Sequence, residues 1–396
     1  MQQELTLEKR RIQSIDILRG LAMVIMALDH VRDYFNNASP MDFATTTPFL
    51  FFTRWITHFC APIFVFLSGT SIYLQSLRKT KKVLQSFLIK RGLWLIFVEV
   101  VIITFGWTFN PNYNFIILQV IWAIGISMVI LALMIRLPFS VIFFTGLLIV
   151  LGHNLLDVPE SAVGFKAGFW WDLLHHGFFS FYPLSQNHTL LILYPFVPWC
   201  GLMMLGYCTG VFFSEKYSSA QRRKILSRIG ISLIIVFIIV RLINGYGNPE
   251  PWSTQKNKLF TVLSFINVHK YPPSLMYMCM TIGPAFLLLS FFETIQNGFT
   301  RKINIYGRVA FFYYVVHIYL IHTVSLIFFI AKGHTMRQGT DISGGIPFYF
   351  LSAKDGYSLL VVYIIWISVI IALFPMCNWY NTYKTNHREK WWLSYL

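Results

Sequence analysis

Apolar runs of 18 or more residues recur from one end of the chain to the other. Each is long enough to cross a hydrocarbon core about 30 Å thick, and this constrains the fold more than any other feature. A lone lipid-facing sheet is excluded, because each unpaired backbone group in hydrocarbon costs several kcal/mol. Charged residues make up 12% of the chain, against about 25% in a soluble protein. The expectation is an all-α, polytopic membrane helical bundle of about ten transmembrane helices. It forms a single domain over residues 1–396, with no separate soluble unit.

The spans fall near 12–34, 49–75, 87–107, 114–135, 137–155, 190–213, 229–246, 273–293, 305–331 and 357–378. The fourth and fifth are separated only by Leu137-Pro138 and their neighbours, so they form a tight hairpin. Lys9-Arg10-Arg11 before the first run resembles a signal n-region. The run is longer than a signal core and no small-x-small cleavage site follows, so it reads as an uncleaved first span. No internal repeat is visible, which weighs against an inverted-repeat transporter.

The net charge of +16 is explained by basic inner loops rather than by a nucleic-acid partner. With the N-terminus inside, the inner segments hold most of the 32 lysines and arginines, so both termini are expected in the cytoplasm. The expected surroundings are the lipid bilayer, and a homodimer is left open. The five cysteines lie in or beside apolar segments without paired metal spacing and read as small core residues. Three long outer loops, near 153–190, 247–272 and 332–356, carry Trp170-Trp171, His175-His176, Trp252 and many Phe and Tyr. The simpler reading is aromatic side chains resting at the interface. The sharper one is a cover over an outward-facing pocket.

Ionisable groups at mid-bilayer cost about 2.5–3.5 kcal/mol each on insertion scales, so each needs a reason. They are Asp29, His30, Arg54, His58, Glu99, His317 and His322. In the first span Arg19 and His30 stand eleven residues apart. At 100° per residue they point the same way to within ~20°, with ~16 Å between them along the axis. One face thus offers a cation low and a titratable base high. Arg19 also has Asp16 three residues earlier, a pair that snorkelling alone would explain. Asp29 precedes His30, and adjacent helical residues do not face each other. The ring is therefore oriented by a carboxylate from another span, or by Asp29 after local unwinding. Arg54 and His58 share a face at i and i+4, and Glu99 sits near mid-depth, where neutralising Arg54 or a histidine is the structural alternative. His317 and His322 are about 140° apart around their helix and form a poor chelating pair. No HExxH, paired CxxC, P-loop, dinucleotide fingerprint or GxSxG elbow is present, so no metal is expected.

The stretches RIQSIDILRGLAMVIMALDHVRDYF, FFTRWITHFCAPIFVFLSGTSIYL, FLIKRGLWLIFVEV, FGWTFN and LQVIWAIG resemble bacterial members of the heparan-α-glucosaminide N-acetyltransferase catalytic-domain family. The resemblance is strongest over the first ~130 residues (12–135 hold most of the motifs) and returns at IYGRVAFFYYVVHIYLIH, 305–322. The first span is also similar to that of the polysaccharide O-acyltransferases of bacterial envelopes, which place an essential histidine eleven residues after the arginine of an LR motif. Arg19 and His30 match that spacing. Those relatives bind acyl-CoA phosphates with a basic motif at the start of the third span. Lys90-Arg91 stands there, without the second arginine of a full R-x-x-R. The lysosomal relatives carry their active histidine in the loop before the second span, and 41–50 has none here.

The resemblance implies an acyl-CoA-dependent N- or O-acyltransferase of the bacterial inner membrane. Acetyl-CoA or another acyl-CoA would be the co-substrate, and a sugar or glycan at the outer face the acceptor. On this reading His30, Asp29 and His58 are catalytic. Arg54, Glu99 and His317 bind substrate, and Arg19, Lys90 and Arg91 meet the donor phosphates. The alternative is a proton-coupled transporter of a sugar or organic acid, since intramembrane Asp, Glu and His also serve proton coupling.

Overall fold

The computed structural model describes residues 12–395, apart from 41, 178, 296 and 343–347. The basic run Lys9-Arg10-Arg11 and part of the 332–356 loop lie outside the described residues. The helices are α1 (Gln13–Phe35), α2 (Pro48–Thr57), α3 (Cys60–Ser76), α4 (Lys81–Val98), α5 (Thr104–Thr108), α6 (Val120–Met134), α7 (Phe139–Gly152), α8 (Phe196–Thr209), α9 (Ser219–Ile243), α10 (Lys258–Ile266), α11 (Leu275–Phe292), α12 (Gly298–Arg308), α13 (Ala310–Ala331) and α14 (Leu359–Asn386). Seven helical segments among the described residues are long and apolar enough to cross a membrane. They are Pro48–Ser76, Phe139–Glu160, Phe196–Phe213, Ser219–Ile243, Leu275–Phe292, Ala310–Ala331 and Leu359–Asn386. The protein is an integral membrane helical bundle.

The helix that organises the bundle is not among those seven. α1 holds Asp16, Arg19, Asp29, Arg32 and Asp33, yet Asp16, Asp29 and Arg32 are buried with most of its apolar residues. It packs against α2, α3, α11, α12, α13 and α14. A charged helix is tolerated in this position because Asp16, Asp29 and Arg32 are buried against protein rather than lipid. Its crossing with α12 is close: a Cβ on Gly20 would strike the Ile303 carbonyl oxygen, and one on Gly307 would strike that of Asp16. Small residues permit such backbone approach between membrane helices.

Local breaks aim the side chains. Thr47 caps α2 by accepting from the Leu50 amide at 3.3 Å, with Pro48 in the first turn. The expected second span is interrupted at His58-Phe59, where α2 ends and α3 begins. Pro62 has no N–H to give the carbonyl four residues back, which is that of His58. The Tyr277 hydroxyl donates to it instead, at 2.7 Å. After α4, one turn over Glu99–Ile103 widens to i→i+5 bonding before α5. The span expected from 305 is also two helices, α12 and α13, parted at Val309.

The helical bundle carries one small sheet, which differs from the expected span starts. The starts expected at 114 and 190 are strands: β1 (Phe115–Leu118), β2 (Ser180–Ser185) and β3 (His188–Ile192). They form one sheet in the order β1-β3-β2, with β1 parallel to β3 and β2 antiparallel to it. The short apolar strands β1 and β3 each adjoin a span and merge with it in a hydropathy reading, although they pair with each other from distant parts of the chain.

Candidate active site

Two cavities lie against opposite ends of α1. The first, of about 390 Å³, is lined by Arg19 and Met23 of α1, Ser68 and Ser71 of α3, Arg91 of α4, Met128 of α6 and Tyr314 of α13. Lys79, Arg308 and Lys384 complete its basic wall, and no carboxylate among the described residues lines it. Arg19 reaches Asp16 Oδ1 at 3.1 Å and also donates to Ser71 Oγ at 2.9 Å. Pairing with Asp16 and presentation to the cavity therefore coexist.

The second cavity, of about 820 Å³, is lined by Asp29, His30, Tyr34, Arg54, His58 and Trp107. Phe115 and Ile117 of β1, Leu191 of β3, and Phe179 and Phe181 wall it as well. So do Lys270, Tyr271 and Phe348. Segments from all three long loops thus converge on this cavity, which fits a cover; Trp170, by contrast, is exposed.

His30 is half-buried at the edge of the second cavity. Its Nδ1 lies 2.8 Å from His317 Nε2, and His317 Nδ1 lies 2.9 Å from the Tyr313 carbonyl oxygen. A carbonyl only accepts, so His317 Nδ1 carries the proton and its Nε2 is a lone pair. His30 Nδ1–H donates to that lone pair. His30 Nε2 is then unprotonated in the neutral pair, as a base or nucleophile requires. Trp107 packs edge-on to the His30 ring, with 4.7 Å between centroids.

The group that orients His30 is thus a histidine, not a carboxylate. Asp29 is turned to cations instead: Arg32 Nη2 at 2.7 Å, Arg54 Nη1 at 3.5 Å and Lys270 Nζ at 3.9 Å. As expected for neighbours 100° apart on a helix, it does not meet His30. His58 lines the same cavity but is only 2% exposed. Neither of its ring nitrogens has a hydrogen-bond partner among the described residues. His322 is held by backbone, with ring nitrogens 2.9 Å from the Gly106 carbonyl and 2.8 Å from that of Tyr349.

Two of the expected site residues, Glu99 and Lys90, lie away from both cavities. Glu99, expected to bind substrate, lines neither cavity. It is fully buried, and its Oε2 accepts from the Trp122 amide at 2.8 Å, capping the start of α6. Lys90, expected beside Arg91 at the donor phosphates, is exposed and outside the first cavity; the 100° step along α4 that turns Arg91 inward turns Lys90 out. Sequence reasoning missed Lys79, Arg308 and Lys384 as cavity residues, because they come from three separate segments and carried only the sign of the inner loops. It also missed Trp107, although FGWTFN was conspicuous, and Lys270.

Outside both cavities, Asp157, Glu160 and His175 bring ligand atoms within 4.8 Å of one another, a grouping that no local spacing announces. They are engaged in hydrogen bonds: His175 Nδ1 meets Glu160 Oε1 at 2.7 Å, and Asn154 donates to Asp157 at 2.7 Å.

The family model described as heparan-alpha-glucosaminide N-acetyltransferase, catalytic, matches residues 11–242. None of the curated proteins matches the chain. The matched stretch includes Arg19, His30, Arg54, His58, Arg91 and Trp107, whereas His317 and Tyr314 come from beyond it. The match covers more than half of the chain, which belongs to the heparan-alpha-glucosaminide N-acetyltransferase catalytic family.

Proposed function

We propose that the protein transfers the acetyl group of acetyl-CoA, bound from the cytoplasm, to a hydroxyl or amine of a sugar or glycan at the outer face of a bacterial inner membrane. The observation that carries this reading is the division of α1 between two cavities, with Arg19 at the basic one and His30 at the other. Five cations around the first cavity suit phosphates, which bind guanidinium and ammonium groups through charge-assisted hydrogen bonds. Lys79, Arg308 and Lys384 belong to segments that the lysine and arginine bias assigns to the cytoplasm. The thioester would extend past Met23 and Tyr314 toward His30. The acceptor would enter the second cavity between its aromatic walls. His30 Nε2 would take the acceptor's proton as general base, or carry the acyl group itself. The roles given to Arg54 and His58 are to hold the acceptor. Three helices, α1, α4 and α6, would join the seven apolar segments as spans, giving ten with both termini inside.

The test is calorimetric titration of acetyl-CoA into detergent-purified protein, wild type and Arg19→Ala/Arg91→Ala. Wild-type binding in the range of about 1 μM–1 mM is expected. The double variant should lose at least about tenfold, because a hydrogen bond to a charged group contributes about 1.5–3 kcal/mol. Folded wild type that does not bind acetyl-CoA would leave the proton-coupled transporter as the better reading.

A further inference from the structure

Between the two cavities stand two buried hydrogen-bond donors that the proposed chemistry has not yet used. Tyr314 is 2% exposed and lines the basic cavity; Trp107 is 7% exposed and lines the other. Both flank His30, with ring centroids 6.4 Å and 4.7 Å from the imidazole. Tyr314 Oη and Trp107 Nε1 face each other, and neither has another hydrogen-bond partner among the described residues. The phenol oxygen can accept from the indole, which leaves the phenol O–H without an acceptor, and a buried donor left alone calls for a reason.

Trp107 is also held firmly. The Tyr34 hydroxyl donates to its carbonyl at 2.7 Å, and the Tyr34 ring stacks on its indole at 5.6 Å. A fixed donor beside the base, at the boundary between a donor cavity and an acceptor cavity, is suited to charge that develops only during reaction.

We propose that Trp107 Nε1–H and Tyr314 Oη–H form the oxyanion hole for acyl transfer. This rests on the transferase reading above. In the step they serve, the acceptor's lone pair forms a bond to the thioester carbonyl carbon, while the acceptor's proton passes to His30 Nε2. The carbonyl π pair moves to oxygen, and the resulting oxyanion accepts hydrogen bonds from the indole and the phenol. Collapse re-forms the carbonyl, breaks the carbon–sulfur bond, and releases the thiolate of CoA. The thiolate takes the proton from the His30 imidazolium. The products are the acetylated acceptor and CoA thiol, and both donors return to their starting state.

The experiment follows acetyl transfer from acetyl-CoA to D-glucosamine by purified wild type, Tyr314→Phe, Trp107→Phe and the control Tyr380→Phe, alongside thermal unfolding of each. Tyr380 is similarly buried, and its hydroxyl has no hydrogen-bond partner among the described residues, but it lines neither cavity. Each of the two oxyanion variants should lose about 10²–10³-fold in kcat, the range for removing one such donor. KM for acetyl-CoA should stay near wild type, and the Tm of Tyr314→Phe should stay close to wild type, since the phenol O–H has no acceptor to lose. The control should keep kcat. Full kcat in Tyr314→Phe, or a loss of rate that only tracks a lowered Tm, overturns the assignment. If Trp107→Phe misfolds, Tyr314→Phe still decides, because it removes one oxygen. Wild type that transfers nothing refutes the transferase reading and the oxyanion hole with it. Wild type that transfers while both variants match it refutes the oxyanion hole alone.

Discussion

The two cavities are built on opposite principles. The basic one draws Arg19, Lys79, Arg91, Arg308 and Lys384 from widely separated parts of the chain, and all have one sign. The other sets its charges against each other: Asp29 lies among Arg32, Arg54 and Lys270, and Asp33 meets Arg32 at 2.6 Å. A wall of one sign suits a polyanion arriving from water. Mixed charge, with an imidazole at its edge, suits proton transfer beside a largely uncharged acceptor. On the proposed function the contrast separates binding the donor from doing chemistry on it, and substitutions should separate in the same way.

The sharpest separation is expected at His30. His30→Ala should fold and bind acetyl-CoA as wild type does, yet lose transfer by about 10²–10⁴-fold, the contribution of a positioned general base. Radiolabelled transfer, with calorimetry on the same preparation, measures both. Full transfer by this variant would remove the histidine from the mechanism. His317→Ala should follow with a smaller loss of about 10–100-fold, the range for groups that orient a working imidazole. His317→Gln keeps an acceptor for His30 Nδ1–H and should recover part of that loss. Donor affinity should not move in either variant. A fall in acetyl-CoA affinity with unchanged kcat would show that the His30–His317 pair belongs to the donor side, and the contrast between the cavities would collapse.

How much of this was legible in the sequence follows the same division. Continuous apolar runs announced the helical bundle, and helical periodicity put Arg19 and His30 on one line, because both signals are local. α1 disappears from a simple apolar search for the reason it matters: its Asp16, Asp29 and Arg32 are buried against other helices. The His30–His317 bond joins residues 287 positions apart, so spacing cannot show it, and a carboxylate was the natural partner to expect. Pro62 signals a break, but the Tyr277 hydroxyl that takes up the released His58 carbonyl is visible only in three dimensions. Strands β1 and β3 were hidden because each adjoins an apolar span.

The smallest effect probes the contrast at the level of a single helical step. Lys90 and Arg91 are adjacent in a motif whose resemblance assigns both to the donor, yet only Arg91 lines the basic cavity, and Lys90 is exposed. Lys90→Ala should change acetyl-CoA affinity by less than about twofold near physiological salt, because an exposed charge beyond about 8 Å is largely screened there. Arg91→Ala should weaken binding about tenfold or more. Repeating both titrations at low salt sharpens the comparison. The longer Debye length lets Lys90 contribute through the general field, so its variant should show a measurable loss only there, whereas the loss in Arg91→Ala persists at both. Equal losses at high salt would mean that the helix presents both cations to the donor, and that the wall of the basic cavity is wider than its lining residues.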